Sequence, residues 1–89
     1  MATVRFTQNL QRHAAAPEAR VPGATVREVL DATFSANPRL RGYILDDQAA
    51  LRRHMVIFVD GTEITDRTTL GDPVPANGEV FVMQALSGG

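Results

Sequence analysis

The residues with the clearest chemical potential stand at the end of the sequence, in Ser87-Gly88-Gly89. Glycine has no Cβ, so two extended glycines can pass through a narrow channel in which a partner holds both backbone amides closely. No side chain shields the Gly89 carboxylate from activation. This ending is typical of a protein that works through its C-terminal carboxylate, with the catalytic machinery in a partner.

The other polar residues form no pattern that is typical of an active site or a metal site. His13 and His54 are the only imidazoles, and no spacing supplies the three or four ligands of a metal site. Asp46 and Asp47 are adjacent, which suits a turn better than a pair of acid–base groups. The absence of cysteine excludes a thiolate zinc site, a disulfide and a Cys nucleophile. We therefore expect a protein that is not itself an enzyme and holds no metal.

Composition narrows the class of protein further. A chain of 89 residues forms one domain, and a net charge of −1 supplies no field to attract nucleic acid. No segment approaches the roughly 18 apolar residues of a membrane helix. The N-terminus has no signal-peptide pattern, and a small secreted domain more often carries disulfides, so the sequence favours the cytoplasm. All nine basic residues are arginine, which leaves the Met1 α-amine as the only primary amine.

One helix is predicted to position the rest of the fold. Thr25 and Glu28 have the spacing of a capping box, and Asn37-Pro38 ends the helix because proline disfavours helical geometry in the residue before it. Apolar residues recur at helical spacing and give the helix one face to bury, with Thr33 among them: Val26, Val29, Leu30 and Phe34.

Strands are predicted on both sides of this helix. Residues 3–10 alternate as a half-buried strand, a short strand lies near Glu18–Val21, and Asp60-Gly61 marks a tight hairpin. Residues 79–86 are apolar on both faces, which is typical of a central strand beside the first one. The segment between the helix and the hairpin is an ambiguous connector with core residues at Tyr43, Ile44, Leu45 and Leu51. The predicted class is α+β, a mixed sheet of four to five strands packed on one main helix.

In this order, the elements together with "HMVIFVDGTEI" and "EVFVMQALSGG" resemble the ubiquitin-like sulfur carrier family over essentially the whole chain. That family includes the small subunit of molybdopterin synthase, the thiamine-pathway carrier and the cysteine-pathway carriers of actinobacteria. The resemblance implies a β-grasp domain over residues 1–86 and a flexible C-terminal tail over residues 87–89.

The resemblance also implies a mechanism. An E1-like enzyme would adenylate the Gly89 carboxylate with ATP, and a sulfur donor would displace AMP to leave a C-terminal thiocarboxylate. That sulfur would then pass to a biosynthetic enzyme for cysteine, molybdopterin, thiamine or another metabolite. The chain itself would bind no cofactor. Gly88 would lie in the partner's channel, where any side chain clashes, whereas a change at Ser87 should be milder.

Family members dock their partners through an apolar patch on the open face of the sheet. By alternation, Phe58, Phe81 and Met83 would form that patch, while Val80 and Val82 would face the helix. A register shifted by one residue would instead place the patch residues in the core. Two alternative functions share this fold: a protein modifier conjugated through Gly89, and an interaction module without terminal chemistry.

Overall fold

The computed structural model describes residues 1–7 and 18–84, and these described residues include two helices and five strands. In chain order the elements are β1 (Ala2–Phe6), β2 (Glu18–Val21), α1 (Val26–Ala36), α2 (Pro38–Ile44), β3 (Met55–Val59), β4 (Thr62–Glu63) and β5 (Glu79–Gln84).

The five strands form one mixed sheet in the order β2-β1-β5-β3-β4. β1 and β5 run parallel, and every other neighbouring pair is antiparallel. The last strand therefore lies at the centre of the sheet beside the first strand, as its two apolar faces predicted. The predicted α+β class with a β-grasp arrangement is confirmed.

Helix α1 forms where its capping residues predict it. The Glu28 amide donates to Thr25 Oγ1 at 3.2 Å, and the Ala24 amide donates to Glu28 Oε1 at 2.8 Å. These bonds satisfy amides that have no partner within a first helical turn. The predicted stripe packs into the core: Val26, Val29, Leu30, Thr33 and Phe34 are all buried.

The second helix, α2, was not predicted. Pro38 stands at its start, where a missing amide hydrogen costs nothing and the fixed φ suits a helix. Its buried residues are Leu40 and Ile44, which lie four residues apart on one side of the helix. Tyr43 lies beside the buried side of the helix and is 47% exposed, so the prediction that it lies in the core is wrong.

The remaining core predictions for the connector hold, since Ile44, Leu45 and Leu51 are buried. The predicted hairpin is also present between β3 and β4. Its turn residues have positive φ, 49° at Asp60 and 85° at Gly61, as a tight hairpin that follows the twist of its strands requires.

The segment between β4 and β5 is hydrogen-bonded to the start of α1. The amides of Val26 and Arg27 donate to the carbonyls of Asp72 and Leu70 at 3.0 and 2.9 Å. The segment also buries three apolar side chains against the helix and sheet: Ile64, Leu70 and Val74. The start of the helix is thereby fixed to the rest of the fold by main-chain bonds.

Candidate functional site

The two faces of the sheet differ in what covers them. On β5, Val80 and Val82 are fully buried in the core that the helices cover, whereas Phe81 and Met83 are only partly buried. Because successive side chains of a strand point to opposite faces, Phe81 and Met83 lie on the open face. The structure therefore has the alternation that the sequence predicted, and not the register shifted by one residue.

The open face carries one row of residues that crosses all five strands. In register from β2 to β4, the row is Glu18, Arg5, Phe81, Phe58 and Glu63. One step along the strands, Met83 lies opposite Val56. We call Val56, Phe58, Phe81 and Met83 the open-face patch. An apolar centre thus lies between charged residues at both edges, the arrangement of an interaction surface with a polar rim.

Arg5 borders this patch, and sequence reasoning did not select it. Its Nε lies 3.1 Å from Glu18 Oε2, and its Nη1 lies 3.2 Å from Glu79 Oε2. All three side chains are about half exposed, so each ion pair contributes only about 0–1 kcal/mol to stability. The two contacts instead hold the guanidinium between two carboxylates, on the residue that pairs with Phe81. The sequence did carry a signal for the position of Arg5. Apolar and polar residues alternate along β1, which places Arg5 on the face opposite to buried Val4 and Phe6.

The structure fixes β5 on both sides up to its last residue. Gln84 pairs with Met55 at the start of β3. On the other side, the Thr7 amide donates to the Val82 carbonyl at 3.2 Å, and the Gln84 amide donates to Thr7 Oγ1 at 3.5 Å. Residues 85–89 follow directly from this point. The predicted site residues Ser87, Gly88 and Gly89 lie outside the described residues, and their roles stay predictions.

Within residues 1–7 and 18–84, no group of three or more His, Asp or Glu residues is arranged to hold a metal ion. His54 is exposed, and His13 lies outside the described part of the chain. Asp46 Oδ1 accepts hydrogen bonds from the amides of Gln48 and Ala50 at 2.9 and 3.0 Å, so Asp46 shapes the predicted turn.

Two carboxyl groups between β4 and β5 have pKa values below their usual range. The hydroxyl of Thr69 donates to Asp66 and is the largest cause of the lowered Asp66 pKa, followed by the amides of Thr69 and Gly71. The amides of Asp66 and Thr65 lower the pKa of Asp72 in the same way. All of these donors belong to the same loop, so the shifted carboxylates hold the loop together and do not define a reaction site.

A five-stranded mixed sheet with its first and last strands parallel and a main helix on one face is the fold of the ubiquitin-like proteins. Neither a protein-family model nor a curated protein sequence matches the chain. Among the described residues, no helix is long and apolar enough to span a membrane.

Solved structures do match along the full length. SAMP1 of Haloferax volcanii is 26% identical, with a TM-score of 0.84 over 99% of this chain and 98% of its own. A chain of the Amycolatopsis orientalis BexX/CysO complex has a TM-score of 0.86 at 20% identity, with complete coverage of both chains. CysO of Mycobacterium tuberculosis, described as an antigen, has a TM-score of 0.83 at 17% identity over 97% of this chain and all of its own.

These neighbours are ubiquitin-like sulfur carrier and modifier proteins. The resemblance to the ubiquitin-like sulfur carriers is thereby confirmed. The chain has the ubiquitin-like fold and is similar in structure to proteins of this carrier and modifier class.

Proposed function

We propose that the protein carries sulfur as a thiocarboxylate on Gly89. The observation that supports this most directly is the match of the fold to SAMP1 over 99% of the chain. In this fold the central strand β5 ends at Gln84, and the sequence reaches Gly88-Gly89 within the next five residues. The strand is anchored on both sides up to Gln84, so the domain gives the terminal segment a fixed starting point. Residues 87–89 act as the tail that enters the partner.

The proposed reaction has two steps, both catalysed by an E1-like partner. A Gly89 carboxylate oxygen attacks the α-phosphate of ATP, which forms an acyl-adenylate and releases pyrophosphate. The sulfur of hydrosulfide then attacks the acyl carbon, a C–S bond forms, the C–O bond to AMP breaks, and AMP leaves, so that the chain ends in a thiocarboxylate. The carrier supplies the carboxylate and the docking surface, and ATP binds to the partner. The use of ATP and the lack of cysteine favour the cytoplasm for this chemistry.

The open-face patch is the proposed docking surface for the activating enzyme and for the enzyme that accepts the sulfur. Its aromatic residues and Met83 are of the types enriched in interface cores, and the flanking charges form a rim. One neighbour was determined as the BexX/CysO complex, so a protein of this fold does assemble with a second protein.

The absence of cysteine makes the test direct. In the wild-type chain a thiocarboxylate is the only group that a thiol-selective alkylating reagent can label, apart from slow reaction at methionine. Intact mass first establishes that the mature chain ends at Gly89. Incubation with an E1-like enzyme, ATP and sulfide should then replace one oxygen by one sulfur and produce one alkylated species. A chain without Gly89 is the matched control, and labelling of that control would contradict the proposal.

A second candidate function is that of a protein modifier, because one structural neighbour from Haloferax volcanii is small archaeal modifier protein 1. The same incubation without sulfide separates the two functions, because a modifier transfers its acyl group to an amine. This chain has no lysine, so a conjugate to itself requires the Met1 α-amine, and any other conjugate must contain a second protein. An interaction module without terminal chemistry would bind its partner equally well after deletion of Gly89.

A further inference from the structure

A cluster of arginines lies at the end of the sheet from which the C-terminal segment continues. The Met55 amide donates to the Arg52 carbonyl at 3.0 Å and closes a turn immediately before β3. Met55 pairs with Gln84, so this turn lies beside the last described residue of β5. Arg53 is exposed within the turn. Arg67 packs against the same backbone, and we call Arg52, Arg53 and Arg67 the arginine cluster.

Two members of the cluster, Arg52 and Arg67, are held by neutral groups. Arg67 Nη2 donates to the carbonyls of Arg52 and Met55, both at 2.8 Å, and Arg52 Nε donates to the Gly42 carbonyl at 2.8 Å. Among the arginines that the structure describes, only Arg5 has a side-chain nitrogen within 4.0 Å of a carboxylate oxygen. The cluster therefore presents three cations, two of them held in place by carbonyls, and none lies within 4.0 Å of a carboxylate of the described residues.

The carboxylates that could neutralise the arginine cluster either accept hydrogen bonds from other groups or lie at a distance from it. Asp66 precedes Arg67, but its carboxylate accepts bonds from Thr68, Thr69 and Gly71. Asp60 and Glu79 lie at the opposite end of β3 and β5, where each amide bonds to the other residue. Five strand residues separate the two ends by roughly 15 Å, beyond the Debye length of about 8 Å at physiological ionic strength. The sheet is thus basic at the end that leads to the tail and acidic at the other.

We propose that the arginine cluster binds an acidic protein surface at the entrance of the channel that receives the C-terminal segment. This proposal rests on the proposed function and names the charge of the partner's surface. A protein partner fits better than nucleic acid, because the cluster is small and the whole chain has a net charge of −1. The arginines would orient the carrier as it docks, while the open-face patch supplies the apolar contact.

The test is pyrophosphate exchange by the E1-like adenylating enzyme of the same organism, measured against carrier concentration at low and high salt. The variant is Arg53→Glu, since Arg53 is exposed and its side chain makes no hydrogen bond in the described part of the chain. Arg20→Glu makes the same charge change on β2, next to Thr3 at the acidic end of the sheet. Arg53→Lys keeps the charge. Circular dichroism and melting confirm that each variant is folded.

We expect Arg53→Glu to raise KM about tenfold or more at low salt with kcat unchanged, because a rim charge acts mainly on association. Arg53→Lys and Arg20→Glu should stay within about twofold of wild type, and added salt should raise the wild-type KM more than that of Arg53→Glu. A KM of Arg53→Glu close to wild type, or an equal effect of Arg20→Glu, overturns the proposal and leaves the carrier function intact. A wild-type chain that is never activated overturns both.

Discussion

Phe58 lies directly opposite Phe81 across β3 and β5, on the face of the sheet away from the helices. Side chains so placed have Cβ atoms about 4.5–5.5 Å apart, so the two rings form one continuous apolar surface. Arg5 and Glu63 stand at either side of the pair in the same row. The pair is therefore the centre of the open-face patch, and a change at either ring should affect docking more than folding.

We expect Phe81→Ala to raise the KM of the activating enzyme for the carrier about tenfold or more, because truncation of a central aromatic anchor typically costs about 2 kcal/mol of binding. The measurement is the same pyrophosphate exchange as a function of carrier concentration. Tyr43→Ala is the matched control, since it removes an exposed ring from α2 on the helical side. Equal effects of the two variants would contradict a docking role for the patch.

At the terminus, we expect Gly88→Val to abolish formation of the thiocarboxylate, because a branched side chain cannot enter a channel that fits extended glycines. Ser87→Ala should retain most of the activity. Intact-mass spectrometry after activation reads both outcomes. Thermal melting should give the same midpoint for both variants and wild type. A Gly88→Val chain that acquires sulfur at the wild-type rate would exclude a narrow channel at this residue.

The loop between β4 and β5 should make stability depend on pH. The folded-state pKa of Asp66 lies below its unfolded value, so its contribution to stability is complete above the usual carboxyl pKa of about 4 and is lost as pH falls through the folded-state pKa. Asp66→Asn should therefore lower the melting temperature at neutral pH, and the difference from wild type should shrink in acid. Asp47→Asn, at an exposed turn position, is the control. A difference that stays constant with pH would exclude this role of the carboxylate.

Gly23 lies just before α1 and should not tolerate a side chain. Its φ is +150°, and an added Cβ would lie 2.8 Å from both the backbone nitrogen and Cγ2 of Val29. We expect Gly23→Ala to lower the free energy of unfolding by roughly 2 kcal/mol or more, from strain and overpacking together. Gly42, within α2, has open space around the same position, and Gly42→Ala should raise stability by about 0.5–1 kcal/mol. Urea unfolding measures both, and a neutral Gly23→Ala would contradict the close contact with α1.

Local sequence signals were sufficient for the elements that depend on local chemistry. The capping residues Thr25 and Glu28 predicted the start of α1, and Asp60-Gly61 predicted the hairpin because both residues must adopt positive φ. The double-sided apolar pattern of β5 predicted its central place. These signals act within a few residues, so a single sequence carries them.

Features that depend on tertiary contacts were not predictable in the same way. α2 has only seven residues, one of them glycine, so its sequence is too short to show a repeating helical pattern of apolar residues. The helix is stabilised by burial of Leu40 and Ile44. Tyr43 was placed in the core because a connector of unknown geometry has no defined faces. The arginine cluster joins residues 15 positions apart through bonds from Arg67 to the backbone near Arg52, and no local pattern indicates such a contact.

The position of β5 also governs when this protein can fold. β5 joins β1 to β3, and Val4 pairs with Val80 although 75 residues separate them in the chain. A nascent polypeptide has no continuous sheet until the ribosome has made Gln84 and released it from the exit tunnel. Such non-local pairing slows folding, and a chain that lacks β5 cannot form the native topology. Synthesis of the whole of β5 is thus a precondition for the continuous sheet, so products that lack this strand would not compete for the activating enzyme.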